Sequence, residues 1–97
     1  MNARQVEANM LKRCVFVARS PGVIAKDQRE ANVFRFAAMV VKSRLPNEAA
    51  QLMRASQDYF SSYPDHRLPE ADVIKNGWVS SLPRLRDMLS LEFRQQQ

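Results

Sequence analysis

One cysteine, Cys14, and one histidine, His66, are the only thiol and imidazole the chain can bring to catalysis. Nucleophilic catalysis needs a thiolate beside a base, with a third group to orient that base. Cys14 falls on the apolar stripe of a helical segment and His66 in a loop, and no motif joins them. A buried structural thiol is the plainer expectation. A zinc site takes several His or Cys ligands, so these two residues cannot build one. Gly22 and Gly77 are the only glycines, which leaves no phosphate-cradling loop of the GxxxxGK or GxGxxG type. Asp65 and Asp72 flank His66 loosely, and no acid pair stands in a context suited to acid–base work. The expectation is a protein with no catalytic residue, metal or cofactor, working by binding.

Charge narrows the choice of partner. Fifteen bases stand against ten acids for a net charge of +5, and the pI is near 10.0. Such a balance favours an acidic partner: nucleic acid, an anionic membrane or an acidic protein surface. The bases are nevertheless dispersed among acids, with no window of four in succession. The first 26 residues are the exception, holding Arg4, Lys12, Arg13, Arg19 and Lys26 against Glu7 alone. That leaves a mitochondrial presequence as an alternative to a first amphipathic helix of the fold. Otherwise the single cysteine suits a reducing, cytoplasmic setting. Lys12, Arg13 and Arg19 break up any secretory signal. The longest apolar run, Phe36–Val41, is too short for a transmembrane helix.

The elements that must carry these residues centre on Arg29–Leu45. At about 100° per residue, Val33, Phe34, Ala37, Ala38, Val40, Val41 and Leu45 share a sector that Phe36 widens to roughly 220°. A helix apolar over more than half its circumference needs neighbours on two sides, so this is the expected central helix. Asn32, Arg35, Lys42 and Ser43 form its polar sector, with Met39 among them. Asp27 is the expected N-cap, with Glu30 at capping-box spacing, and Pro46 the stop after Leu45.

On either side the same periodicity predicts further helices. Asn2–Ser20 carries a stripe of Val6, Met10, Cys14 and Val17, joined by Ala3, Leu11 and Ala18, and ends at Ser20-Pro21-Gly22. Glu48–Ser62, with Asn47 as its cap, gathers Ala49, Leu52, Met53, Tyr59 and Phe60. Tyr63–Leu68 reads as an irregular link. A short helix follows Pro69 and stops at Gly77. A last helix, capped at Ser80 or Ser81, aligns Leu82, Leu85, Leu89 and Phe93, and residues 92–97 read as a fraying tail. The fold class is therefore all-α: one domain of four main helices and a short one, bundled around the helix near 27–45.

Apolar residues left on polar faces mark the binding candidates. Phe16, Met39, Met88 and Leu91, with the unassigned Trp78, suit a surface that buries against another protein or a second copy of the chain. Arg13, Arg35, Arg84 and Arg86 would add charge-assisted contacts to an acidic or mixed partner surface. The alternative is a nucleic-acid-binding regulator. Residues 69–93 would then form a helix-turn-helix around Gly77, with Arg84, Arg86 and Arg94 on phosphates or bases. Pro83 and Val73 sit awkwardly in that motif.

Overall fold

The computed structural model describes residues 2–95, and among them every regular element is helical. Helix α1 (Ala3–Ala18) starts at Asn2, whose side-chain oxygen accepts from Gln5 N–H at 2.9 Å. It buries Met10, Leu11, Cys14, Val15, Val17 and Ala18, while Val6 and Ala3 of the predicted stripe are exposed. Gly22, with φ of 89°, makes the turn that the preceding serine and proline announce.

Helix α2 (Gln28–Val41) is capped by Asp27, which accepts from Glu30 N–H at 2.8 Å. The reciprocal half of the capping box is displaced by one residue: Glu30 accepts from Lys26 N–H at 3.2 Å, not from Asp27. The helix stops at Val41, four residues before the expected Leu45. Residues 42–44 form turns, and Leu45 adopts φ −131° and ψ 67°. Its conformation reflects the exclusion of the α region before a proline. Helix α3 (Pro46–Ser62) then begins at Pro46 itself. Proline has no N–H to waste in the first turn, so it opens this helix rather than separating two, and Asn47 lies inside it instead of capping it.

Small residues govern how α2 meets α3. Ala31, Ala38, Ala49 and Ala55 are all buried, and the backbones come close enough for Ser56 Oγ to donate to Ala31 O at 2.6 Å. Ala31 lies beside Ser56, whereas Ala38 shares a groove with Ala49 and Met53, so the two helices run antiparallel. Phe34 and Leu52, both fully buried, fill the core around this seam. Burying such side chains stabilises by about 2–3 kcal/mol each.

After α3, a single 3₁₀ turn (Pro64–His66) leads the chain back across α2. Helix α4 (Glu70–Lys75) buries only Val73. Its end is a Schellman turn, in which Trp78 N–H reaches Val73 O at 3.2 Å and Gly77 N–H reaches Ile74 O at 2.9 Å. Gly77 supplies the required positive φ, 75°. Helix α5 (Leu82–Gln95) begins where Ser81 Oγ accepts from Arg84 N–H at 3.2 Å. Leu85, Leu89 and Phe93 are buried. Burial of Phe93 keeps residues 92–95 helical where a fraying tail was expected, and Gln96 and Gln97 lie outside the described residues.

The bundle is assembled with α2 packed on α3 and α5, and α1 packed on the same two helices with a smaller contact to α2. Glu7 of α1 pairs with Arg84 early in α5, and Arg19 just after α1 meets Phe93 late in α5. The first and last helices therefore run parallel. Among the described residues no helix is long and apolar enough to cross a membrane.

Candidate functional site

The two residues with nucleophilic or base character are both engaged by the fold. Cys14 is fully buried, and burial first, then the Glu30 carboxylate, push its thiol well above the ordinary range. That is the opposite of thiolate activation. His66 Nδ1 lies 2.7 Å from Tyr59 Oη, and its ring stacks on Tyr63 at 5.1 Å. Partial burial first, then Tyr63, Asp27 and Asp65, raise the Tyr59 hydroxyl. Among the described residues no group of three or more His, Cys, Asp or Glu is placed to hold a metal ion.

Arg35 and Asn32 are the main correction to the helical wheel. Their sector of α2 was expected to face solvent and Arg35 to meet a partner, yet Asn32 is fully buried and Arg35 only 8% exposed. The link of residues 63–69 covers them. Asn32 Nδ2 donates to His66 O at 3.0 Å, and Asn32 Oδ1 accepts from Leu68 N–H at 3.0 Å. Arg35 Nη2 donates to Leu68 O and, at 3.1 Å, to Asn32 Oδ1. The Arg35 guanidinium also lies 4.2 Å from the Phe36 ring centroid. Its pKa is lowered by burial first and then by Arg67. The polar sector is thus a latch for a crossing strap of backbone.

Three of the apolar candidates lie where the wheel put them. Phe16 is 56%, Met39 54% and Leu91 56% exposed, each on a different helix. Met39 borders a groove of about 300 Å³ between α2 and α3, with Ala38, Lys42, Pro46, Ala49, Ala50 and Met53, which includes neither Phe16 nor Leu91. Trp78 and Met88 differ from expectation, because both are partly buried and packed against the core. Trp78 follows the Schellman turn, which folds it back over α4. Met88 is next to core residue Leu89 and one turn after Leu85. Two exposed apolar residues were not anticipated, Ile24 at 48% and Tyr63 at 49%. Both sit in connections, where no helical period marks them.

The arginines divide in the same way. Arg13 Nε contacts Glu30 Oε2 at 3.1 Å, and Lys26 Nζ reaches the same oxygen at 3.6 Å. Arg84 pairs with Glu7 at 3.5 Å and Arg86 with Asp87 at 3.3 Å. Arg94 is exposed near the end of α5. The helix-turn-helix geometry is poor: α4 has only six residues, and α5 packs mainly on α1 and α2 rather than on α4. Pro83, by contrast, fits without strain in the first turn, since α5 starts only at Leu82.

Comparison with protein-family models, curated proteins and solved structures finds no match to the chain.

Proposed function

We propose that this protein acts by binding another protein, as a small basic adaptor, regulator or complex subunit, and not by catalysis. The reading is carried by Phe16, Met39 and Leu91, three large apolar side chains more than half exposed on a bundle whose own core is closed. Side chains of this kind become anchors when a partner covers them and polar neighbours ring the contact. The engaged states of Cys14 and His66 support binding over chemistry. Pairing of Arg84 and Arg86 within the chain supports a protein partner over a nucleic acid read by α5.

Affinity capture of the tagged protein from native lysate, with and without nuclease, tests the reading. A stoichiometric protein partner that survives nuclease and is lost from Leu91→Asp, Met39→Asp or Phe16→Asp supports it. Nucleic acid in the eluate, with every co-purifying protein lost on digestion, overturns it in favour of a nucleic-acid-binding regulator.

A further inference from the structure

The excess of positive charge is uneven along the sequence. Residues 8–26 contain no acid and four bases, Lys12, Arg13, Arg19 and Lys26, which is all but one unit of the net charge of +5. The same segment presents Phe16 and Ile24, two of the most exposed apolar side chains. Residues three and four apart on a helix are surface neighbours, so Lys12 and Arg13 precede Phe16 by one turn and Arg19 follows it by one. Lys12, Val15, Phe16, Arg19 and Ser20 together border an open depression.

The positions of these cations are fixed from below. Arg13 lies with its guanidinium carbon 5.6 Å from the Phe16 ring centroid while its Nε is held by Glu30. Lys26 reaches the same carboxylate, whose side chain is only 2% exposed. One buried carboxylate shared by two cations orients both and neutralises the equivalent of one. Arg19 is positioned by Phe93, whose carbonyl accepts from its Nη2 at 3.4 Å and whose ring lies 5.2 Å away. The result is an exposed aromatic ring with Arg13 against it and Lys12 and Arg19 bordering the same depression.

We propose that this face of α1, centred on Phe16, docks an acidic polypeptide segment that carries an apolar anchor residue. The proposal rests on the protein-binding reading above and names its surface and the chemistry of its partner. The anchor covers Phe16, and carboxylates on either side of it meet Lys12 and Arg19, which border the same depression. Charge complementarity selects the acid. Two features favour polypeptide over single-stranded nucleic acid: there is one ring rather than a succession, and Arg13 already lies against it. A membrane surface would need an apolar stripe along the helix, but the long apolar side of α1 is spent on the core.

The test is selection of phage-displayed random dodecapeptides on the full chain, followed by affinity measurement of the enriched peptides by fluorescence anisotropy. Enriched peptides should carry net negative charge around an apolar residue. They should bind at least tenfold more weakly to Phe16→Ser and to Lys12→Glu, and more weakly as salt rises. Circular dichroism of both variants should match the parent, since both side chains are exposed. Lys75→Ser, an exposed cation at the end of α4, should bind as the parent does. Enriched peptides that are neutral or basic, or no enrichment, overturn the proposal. So does acidic-peptide binding that ignores Phe16 and Lys12. If that binding instead depends on Met39 or Leu91, the protein-binding reading survives and only this surface falls. An oligothymidine probe and phosphatidylserine vesicles run in parallel. Binding of either that depends on Phe16 and Lys12, where no acidic peptide binds, reassigns the face and overturns the proposal.

Discussion

Replacing Asn32 with alanine tests the strap that crosses α2. The asparagine makes four hydrogen bonds: it donates to Gln28 O at 2.9 Å and His66 O at 3.0 Å, and accepts from Leu68 N–H and Arg35. Two of these losses matter most. Gln28 O is a carbonyl of α2 itself, and His66 O keeps the donation from Gln28 Nε2 at 3.1 Å. Leu68 N–H, however, loses the acceptor that anchors it, and Arg35 loses one of two acceptors in a buried setting. An unsatisfied buried donor costs about 1–3 kcal/mol, and a hydrogen bond to a charged group contributes about 1.5–3 kcal/mol. The expected loss is therefore about 3–5 kcal/mol, a large part of the roughly 5–15 kcal/mol a domain has. In a chain of this size it lowers Tm by at least about 12 °C. Urea and thermal unfolding followed at 222 nm measure it. Hydrogen exchange should show Leu68 losing protection before the core of α3 does. Asn32→Asp keeps the one oxygen that accepts from Leu68 N–H and Arg35 but sets a second oxygen against Gln28 O and His66 O, where the asparagine donates, so it should still cost stability. A loss under about 1 kcal/mol for alanine would refute the latch, because it would mean the strap holds without it.

Other expectations follow from the same geometry. Leu91→Asp, at a position 56% exposed, should change stability by no more than about 0.5 kcal/mol while removing partner binding, as chemical denaturation and capture together report. A double-mutant cycle of Arg13→Ala and Glu30→Ala should give a coupling of about 1 kcal/mol that shrinks with salt, since the Arg13 side chain is 29% exposed. Cys14 should resist a thiol reagent in the native state and react only as fast as the chain unfolds. Its folded pKa is raised, so the folded state holds its proton where the unfolded chain has lost it. Cys14 should therefore make stability fall as pH rises above the ordinary value of 9.0, by at most about 1.4 kcal/mol per pH unit, and Cys14→Ala should reduce that slope, leaving the part that the raised Tyr59 hydroxyl contributes. Gly77→Ala should cost about 1 kcal/mol through backbone strain alone, since φ is 75° and nothing lies within 4 Å of an added Cβ.

Which features were legible in the sequence follows from how local their causes are. The helices, the Asp27 cap and the Gly22 and Gly77 stops depend on residues within a turn or two, and each is observed close to where the sequence puts it. Pro46 reads as a stop, but α2 already ends at Val41 and residues 42–45 link it to α3, so Pro46 opens α3, whose first turn needs no N–H from it. The burial of Asn32 and Arg35 was not legible at all. It depends on residues 63–69, more than thirty positions away, offering backbone groups that a polar side chain can satisfy. Phe16, Met39 and Leu91 were legible as exposed because each falls outside a stripe that the core uses up. Trp78 was not, since it lies in a connection whose path depends on the Schellman turn rather than on any helical period.

The parallel pairing of α1 with α5 sets an order in time. Arg19 and Phe93, which close it, are 74 residues apart in sequence, whereas the α2–α3 seam is formed by segments joined through a short turn. As the chain leaves the ribosome, the α2–α3 hairpin can form early because its closure entropy is small. Helix α1 can then settle on α3, but the side destined for α5 stays open until α5 has emerged. A nascent chain arrested before Leu82 should expose apolar surface that the finished protein hides, and there a chaperone would find it.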